Sequence, residues 1–140
     1  MILADFIVSV EDPRRDVRVI VYDSVKGLRI AASRYTNSDR PQLHRQRGEF
    51  ANTLGVCHRF EWIDADGNSE PLCAIVRLAV PNIGVGIISH EMCHAAVWVR
   101  ELLVGESPLT ADDDEWFAWV LGDLVRQTVN GMDQRGVFAE

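Results

Sequence analysis

Ile87-Ile88-Ser89-His90-Glu91-Met92-Cys93-His94-Ala95-Ala96 sets three chemically competent side chains inside a near-continuous apolar run, and its reading decides the fold around it. On a helix, positions i and i+4 are separated by about 40° of rotation and about 6 Å of rise, so His90 and His94 present their imidazoles side by side. Two nitrogens can then share one cation. Glu91 lies about 100° around from His90, too far to be a third ligand of the same ion but placed to reach a water held on it. That is the geometry a zinc hydrolase needs. The metal lowers the pKa of its water towards about 7, and the carboxylate takes the proton and later passes it to the leaving amine.

The alternative is an amphipathic helix whose histidines are surface or satisfied core residues. Three features weigh against it. The flanks Val85, Ile87, Ile88, Ala95, Ala96, Val97, Val99, Leu102 and Leu103 are apolar nearly all round, which marks a buried element. Buried histidine and glutamate need partners, and a metal would satisfy them. Downstream, Thr110-Ala111-Asp112-Asp113-Asp114-Glu115-Trp116-Phe117-Ala118-Trp119 reads as the capped start of another helix, its acidic run suiting the positive end of the helix dipole. Glu115 stands where the solvated turn gives way to apolar residues, which makes it the candidate third ligand. Asp112 and Asp114 are its rivals, because helical phase alone does not exclude them.

His90-Glu91-x-x-His94 followed by Glu115-x-x-Ala118 resembles the gluzincin pattern of zinc metallopeptidases, in which a glutamate on a second helix completes the metal site. Gly84-Val85-Gly86-Ile87-Ile88-Ser89-His90-Glu91, with the later Asp-Glu-aromatic-Phe-Ala run, resembles the small HExxH proteins encoded by tailed bacteriophages and prophages. The likeness covers roughly residues 56 to 125 and is specific at the two helices. It implies a zincin-like helix pair, a Zn2+ cofactor and a peptidase of minimal size in a bacterial cell or phage-infected host. Many gluzincins place an aspartate four residues after the glutamate to hold a zinc histidine. Trp119 occupies that position here, so such a carboxylate must come from elsewhere.

With 140 residues, 47% of them hydrophobic, the chain is expected to form one domain over 1–140, its metal-site core at about 56–130. A net charge of −7 argues against a nucleic-acid surface, which relies on clustered lysine and arginine. Met1 to Val10 lacks the basic start and small-residue cleavage site of a secretory signal. The longest apolar run is interrupted by His90, Glu91 and His94, so no membrane span is expected, and the expected compartment is the cytoplasm. Three cysteines, an odd number, fit a reducing compartment. Cys57 and Cys73 would lie nearly opposite in the obvious hairpin register, yet free thiols are expected. Cys93, about 100° from His94, reads as packing.

Alternation through Val17, Val19 and Val21, a turn around Asp23 to Gly27 and the run Leu28 to Tyr35 predict a β-hairpin over 16–35. Residues 2–10 can add a strand. Leu43, Phe50 and Leu54 at helical spacing predict a helix from Pro41 to Leu54. Val56 to Ile63, the turn Asp64-Ala65-Asp66-Gly67-Asn68 and Leu72 to Val80 form the strongest hairpin signal. Long helices are expected from Pro81 to about Val104 and from about Ala111 to Val129, ending near Gly131. The expected class is α+β, a small, mostly antiparallel sheet packed against two or three helices.

The expected function is hydrolysis of a peptide or protein substrate, with Glu91 as general base and then acid and His90, His94 and Glu115 on zinc. The alternatives are a non-enzymatic zinc-stabilised interaction module and a degenerate HExxH domain. Tyr22, Tyr35, His44, His58 and Arg100 are open candidates to stabilise the oxyanion. His44 and His58 otherwise read as surface or structural residues. Trp98, Trp116 and Trp119 read as core or pocket wall, with indole nitrogens that need partners.

Overall fold

A computed structural model describes residues 1–11, 13–39 and 53–139. Strand β1 (Ile2–Val10) runs antiparallel to β2 (Arg15–Tyr22), and helix α1 (Val25–Asp39) follows. Strands β3 (Gly55–Arg59) and β4 (Leu72–Ala79) pair antiparallel, and a short 3-10 turn, Val80–Asn82, leads to helices α2 (Val85–Val104) and α3 (Ala111–Gln134). The sheet order is β1-β2-β4-β3, with β2 and β4 parallel. This is the expected α+β class, a small, mostly antiparallel sheet with three helices.

Period-2 alternation gives the sheet two faces. Val17, Val19 and Val21 of β2 and Ala74, Val76 and Leu78 of β4 point to one side, where α2 and α3 add Ile88, Met92, Ala95, Val99 and Leu124 to form the larger core. Ile20, Tyr22, Ile75 and Ala79 point to the other, where α1 contributes Leu28 and Ala32.

The predicted hairpin over 16–35 is corrected in its second half. Leu28 and Ala32, four residues apart, are both fully buried, which is a helical stripe. Ser24 caps the helix: its Oγ accepts from Gly27 N at 3.0 Å and its carbonyl from Leu28 N at 3.2 Å. Strand β4 pairs with β2 in parallel, and α1, residues 40–52 and β3 separate the two in the chain, since parallel strands cannot be joined by a tight turn.

The β3–β4 hairpin forms in a register different from the expected one. Asp64 Oδ1 accepts from Asp66 N and Asn68 N, each at 2.9 Å, and Gly67 turns at φ 83°, which centres the tip on Asp66. Cys57 therefore faces Val76 instead of Cys73, and all three cysteines are free. Helix α2 starts at Val85, after the 3-10 turn, rather than at Pro81. Helix α3 passes through Gly131, which acts as a contact site rather than a stop: a Cβ there would overlap the Phe6 ring of β1. The helix expected from Pro41 lies outside the described residues except for its last two, and Leu54 precedes β3 in non-helical backbone.

Candidate functional site

Helix α2 lies across β3 and β4, and α3 packs against α2 and β1. Two features seat α2 close to the edge strand β3. Gly55 lacks the Cβ that would stand 3.0 Å from Glu91 Cγ and 3.2 Å from Ile87 Cγ2. Trp98 donates its indole N–H to the Phe60 carbonyl at 3.0 Å, the partner its nitrogen was expected to need. Glu91 is consequently sunk against β3 with 5% of its surface exposed.

His90 and His94 stand outside this contact, and their Nε2 atoms are 3.2 Å apart with ring centroids at 4.8 Å. Two nitrogens each bound at about 2.0–2.1 Å to one tetrahedral zinc stand about 3.3 Å apart, so the spacing suits a shared cation as well as the imidazole–imidazole hydrogen bond it forms here. Glu91 Oε1 lies 3.8 Å from His90 Nε2, beside the pair rather than between its members. Burial raises the Glu91 pKa, opposed by His90. The His94 pKa is lowered by desolvation, then by His90 and by Arg59, which favours the neutral imidazole a metal requires.

Glu115 is not brought to this pair. Helix α3 buries Val120, Leu124, Thr128 and Met132, and Glu115 lies about 140° around the helix from Val120. It is exposed and shares an outer groove with Ala118, Trp119, Gly122, Asp123 and Arg126. The flank of α2 that meets the start of α3 is marked by Arg100, whose Nη2 donates to Asp113 Oδ2 at 3.2 Å. His94 stands about 120° around α2 from Arg100, on the β3 side. Among the described residues no group of three or more histidine, cysteine or acidic side chains converges as a metal site. The two imidazoles thus fit the ion, and the third ligand expected from α3 does not.

The rivals Asp112 and Asp114 are exposed in the first turn of α3. Asp113 serves the helix itself, closing a capping box with Thr110 through bonds of 3.2 and 3.3 Å. Arg100 also donates to the Ser107 and Pro108 carbonyls, at 2.7 and 3.0 Å, and so fastens the α2–α3 loop rather than facing the histidines. Tyr22 and His58 are buried on the α1 face of the sheet, and Tyr35 packs with them, away from α2. His44 lies outside the described residues. Trp116 and Trp98 pack against the larger core, whereas Trp119 is 73% exposed. Cys57 lies on the β3 strand under α2, and its thiol is pushed up to about 12, chiefly by burial and then by Glu91.

Arg59, at the end of β3, was not signalled by any motif. Its guanidinium carbon sits 5.7 Å from the Trp98 ring centroid, and its charge reaches His94. Only the packing of α2 on β3 brings it there.

No protein-family model, curated protein or solved structure matches this chain. Among the described residues no helix is long and apolar enough to cross a membrane.

Proposed function

We propose that the chain is a zinc-dependent hydrolase of peptide bonds, with His90 and His94 holding the ion through Nε2 and Glu91 as general base and then acid. The observation that carries the reading is the 3.2 Å approach of the two Nε2 atoms with the buried Glu91 carboxylate beside them. When bound, zinc supplies a water acidified to a pKa of about 7 and polarises the scissile carbonyl. Glu91 takes a proton from the attacking water and delivers it to the leaving amine. Its burial raises its proton affinity, which suits a group that must hold that proton between two steps. Among the described residues strand β3 ends the sheet order beside this helix, an edge to which an extended peptide can add by backbone hydrogen bonds. The proposed setting is the cytoplasm of a bacterial or phage-infected cell.

Glu115 is not assigned to the ion. Its exposed position supports a second reading, a degenerate HExxH domain or a zinc-stabilised interaction module that keeps the helix without the chemistry. Cleavage of quenched-fluorescence peptide libraries by the zinc-supplied protein separates the two. The hydrolase reading expects turnover that Glu91→Gln removes by at least about a hundredfold, in line with loss of a general base. Undiminished turnover in that variant removes Glu91 from its role, and a wild-type protein that binds zinc and cleaves nothing favours the second reading.

A further inference from the structure

On the sheet face away from α2 and α3, helix α1 lies against β2 and β4 and, among the described residues, nothing covers Leu3 and Ile7 of β1. Between α1 and this uncovered part is an open cavity of about 660 Å³, whose walls include Arg18, Arg34 and Arg77, the Tyr22 and Tyr35 side chains, and apolar Ile20 and Ile30. Its volume falls in the range of about 300–1,000 Å³ typical of small-molecule sites. Three guanidinium groups at one cavity are not a consequence of composition, because the chain as a whole carries a net charge of −7.

Arg77 is the informative member. It is 7% exposed, and its Nε donates to His58 Nε2 at 3.0 Å and its Nη1 to the Tyr22 hydroxyl. Its guanidinium lies 5.6 Å from the Tyr35 ring centroid. Among the described residues no carboxylate forms an ion pair with it, and the Asp5 carboxyl that feels its charge is hydrogen-bonded to Arg18. A buried cation is costly unless an anion joins it, and the hydrogen bonds fix the orientation of its fork. Arg18 is already paired, through Nε and Nη2, with Asp5. Among the described residues the Met1 ammonium is balanced by Asp23, and three arginines against Asp5 leave two positive charges at the cavity.

We infer that this cavity binds a small organic phosphate, its dianionic group between Arg77 and Arg34 and its apolar part against Ile20 and Ile30. A phosphate monoester carries about −1.5 to −2 charges at pH 7, which matches the surplus, and offers oxygens that suit guanidinium forks. The apolar walls have no use for a bare inorganic ion. The site lies on the opposite face of the sheet from His90 and His94, so its success or failure is independent of the hydrolase reading.

Calorimetric titration of the full chain with phenyl phosphate tests the assignment, with inorganic phosphate and benzoate as comparison ligands. One phenyl phosphate per chain is expected, with both comparison ligands at least about tenfold weaker, because one lacks the apolar group and the other the second charge. Arg34 is exposed, so Arg34→Gln leaves the fold intact and is expected to weaken binding about tenfold by removing one charge-assisted contact. Arg77→Lys keeps the charge, loses the fork and is expected to weaken it similarly. If that variant fails to fold, Arg34→Gln decides alone. Arg126→Gln, in the α3 groove, is the control and is expected to change nothing. The assignment is overturned by absence of saturable binding up to about 10 mM, a level at which any interaction is weaker than about 3 kcal/mol. It is overturned equally by affinity unchanged in Arg34→Gln, or by equal losses in Arg34→Gln and Arg126→Gln.

Discussion

The two faces of the sheet are built by different rules. On one, two long helices seal a core of Val17, Val19, Val21, Val76, Leu78, Met92 and Leu124, all fully buried. On the other, one helix covers part of the sheet, and the interior includes Arg77, His58 and Tyr22 joined by side-chain hydrogen bonds. The sealed face supplies rigidity, and His90, Glu91 and His94 sit at its rim, where α2 lies across β3. The half-open face keeps charge inside the molecule and holds it in a fixed orientation. The larger apolar core thus lies on one side of the sheet, and clustered polar side chains occur on both.

Truncation on the sealed face should produce the largest effect. Leu124→Ala leaves a cavity among close-packed neighbours and is expected to lower the unfolding free energy by about 2–5 kcal/mol in urea titrations. A loss below about 1 kcal/mol would mean the larger core is not tightly packed. On the other face, Arg77→Met is expected to cost about 1–3 kcal/mol, since it strands the Tyr22 hydroxyl and His58 Nε2 without their donor. Should the methionine variant prove more stable, the polar interior there would be a net burden and the contrast between the faces would sharpen. Thr110→Ala removes the cap of α3 and should cost about 1 kcal/mol in the same assay.

The smallest effect belongs to Asp5, which meets Arg18 at the exposed edge of the half-open face. Asp5→Asn is expected to change stability by less than about 1 kcal/mol. The hydrogen bond from Arg18 holds the Asp5 carboxyl below its ordinary 3.8, so its contribution is present above that value and lost as pH falls through the lower folded pKa. Wild type and Asp5→Asn should therefore differ in thermal midpoint at pH 6 and converge as pH falls through the lowered folded pKa of Asp5. A gap that persists in acid would show that the carboxyl acts through something other than its charge.

Legibility followed how local the deciding physics was. The apolar flanks of His90 and the Thr110 cap are properties of neighbouring residues, and α2 and α3 followed from them. The run Leu28-Arg29-Ile30-Ala31-Ala32 has no clean alternation, and its assignment to a helix turns on Ser24 as a cap and on burial of Leu28 with Ala32, which is tertiary. Parallel pairing of β2 with β4 joins strands separated by α1, residues 40–52 and β3, and no local signal marks it. The outward position of Glu115 could have been read, because Val120, Leu124 and Thr128 already set the buried phase of α3. Arg59 and the arginine cavity had no such signal: their members are scattered along the chain and meet only when the sheet forms.

Metal stoichiometry tests the central claim most directly. Purified protein, equilibrated with zinc, freed of excess ion and assayed for metal by mass spectrometry, should hold one zinc per chain. That zinc should be lost in His94→Ala and retained in Glu91→Gln and Glu115→Ala. A chain that retains no zinc, or one whose zinc survives His94→Ala, would contradict the account.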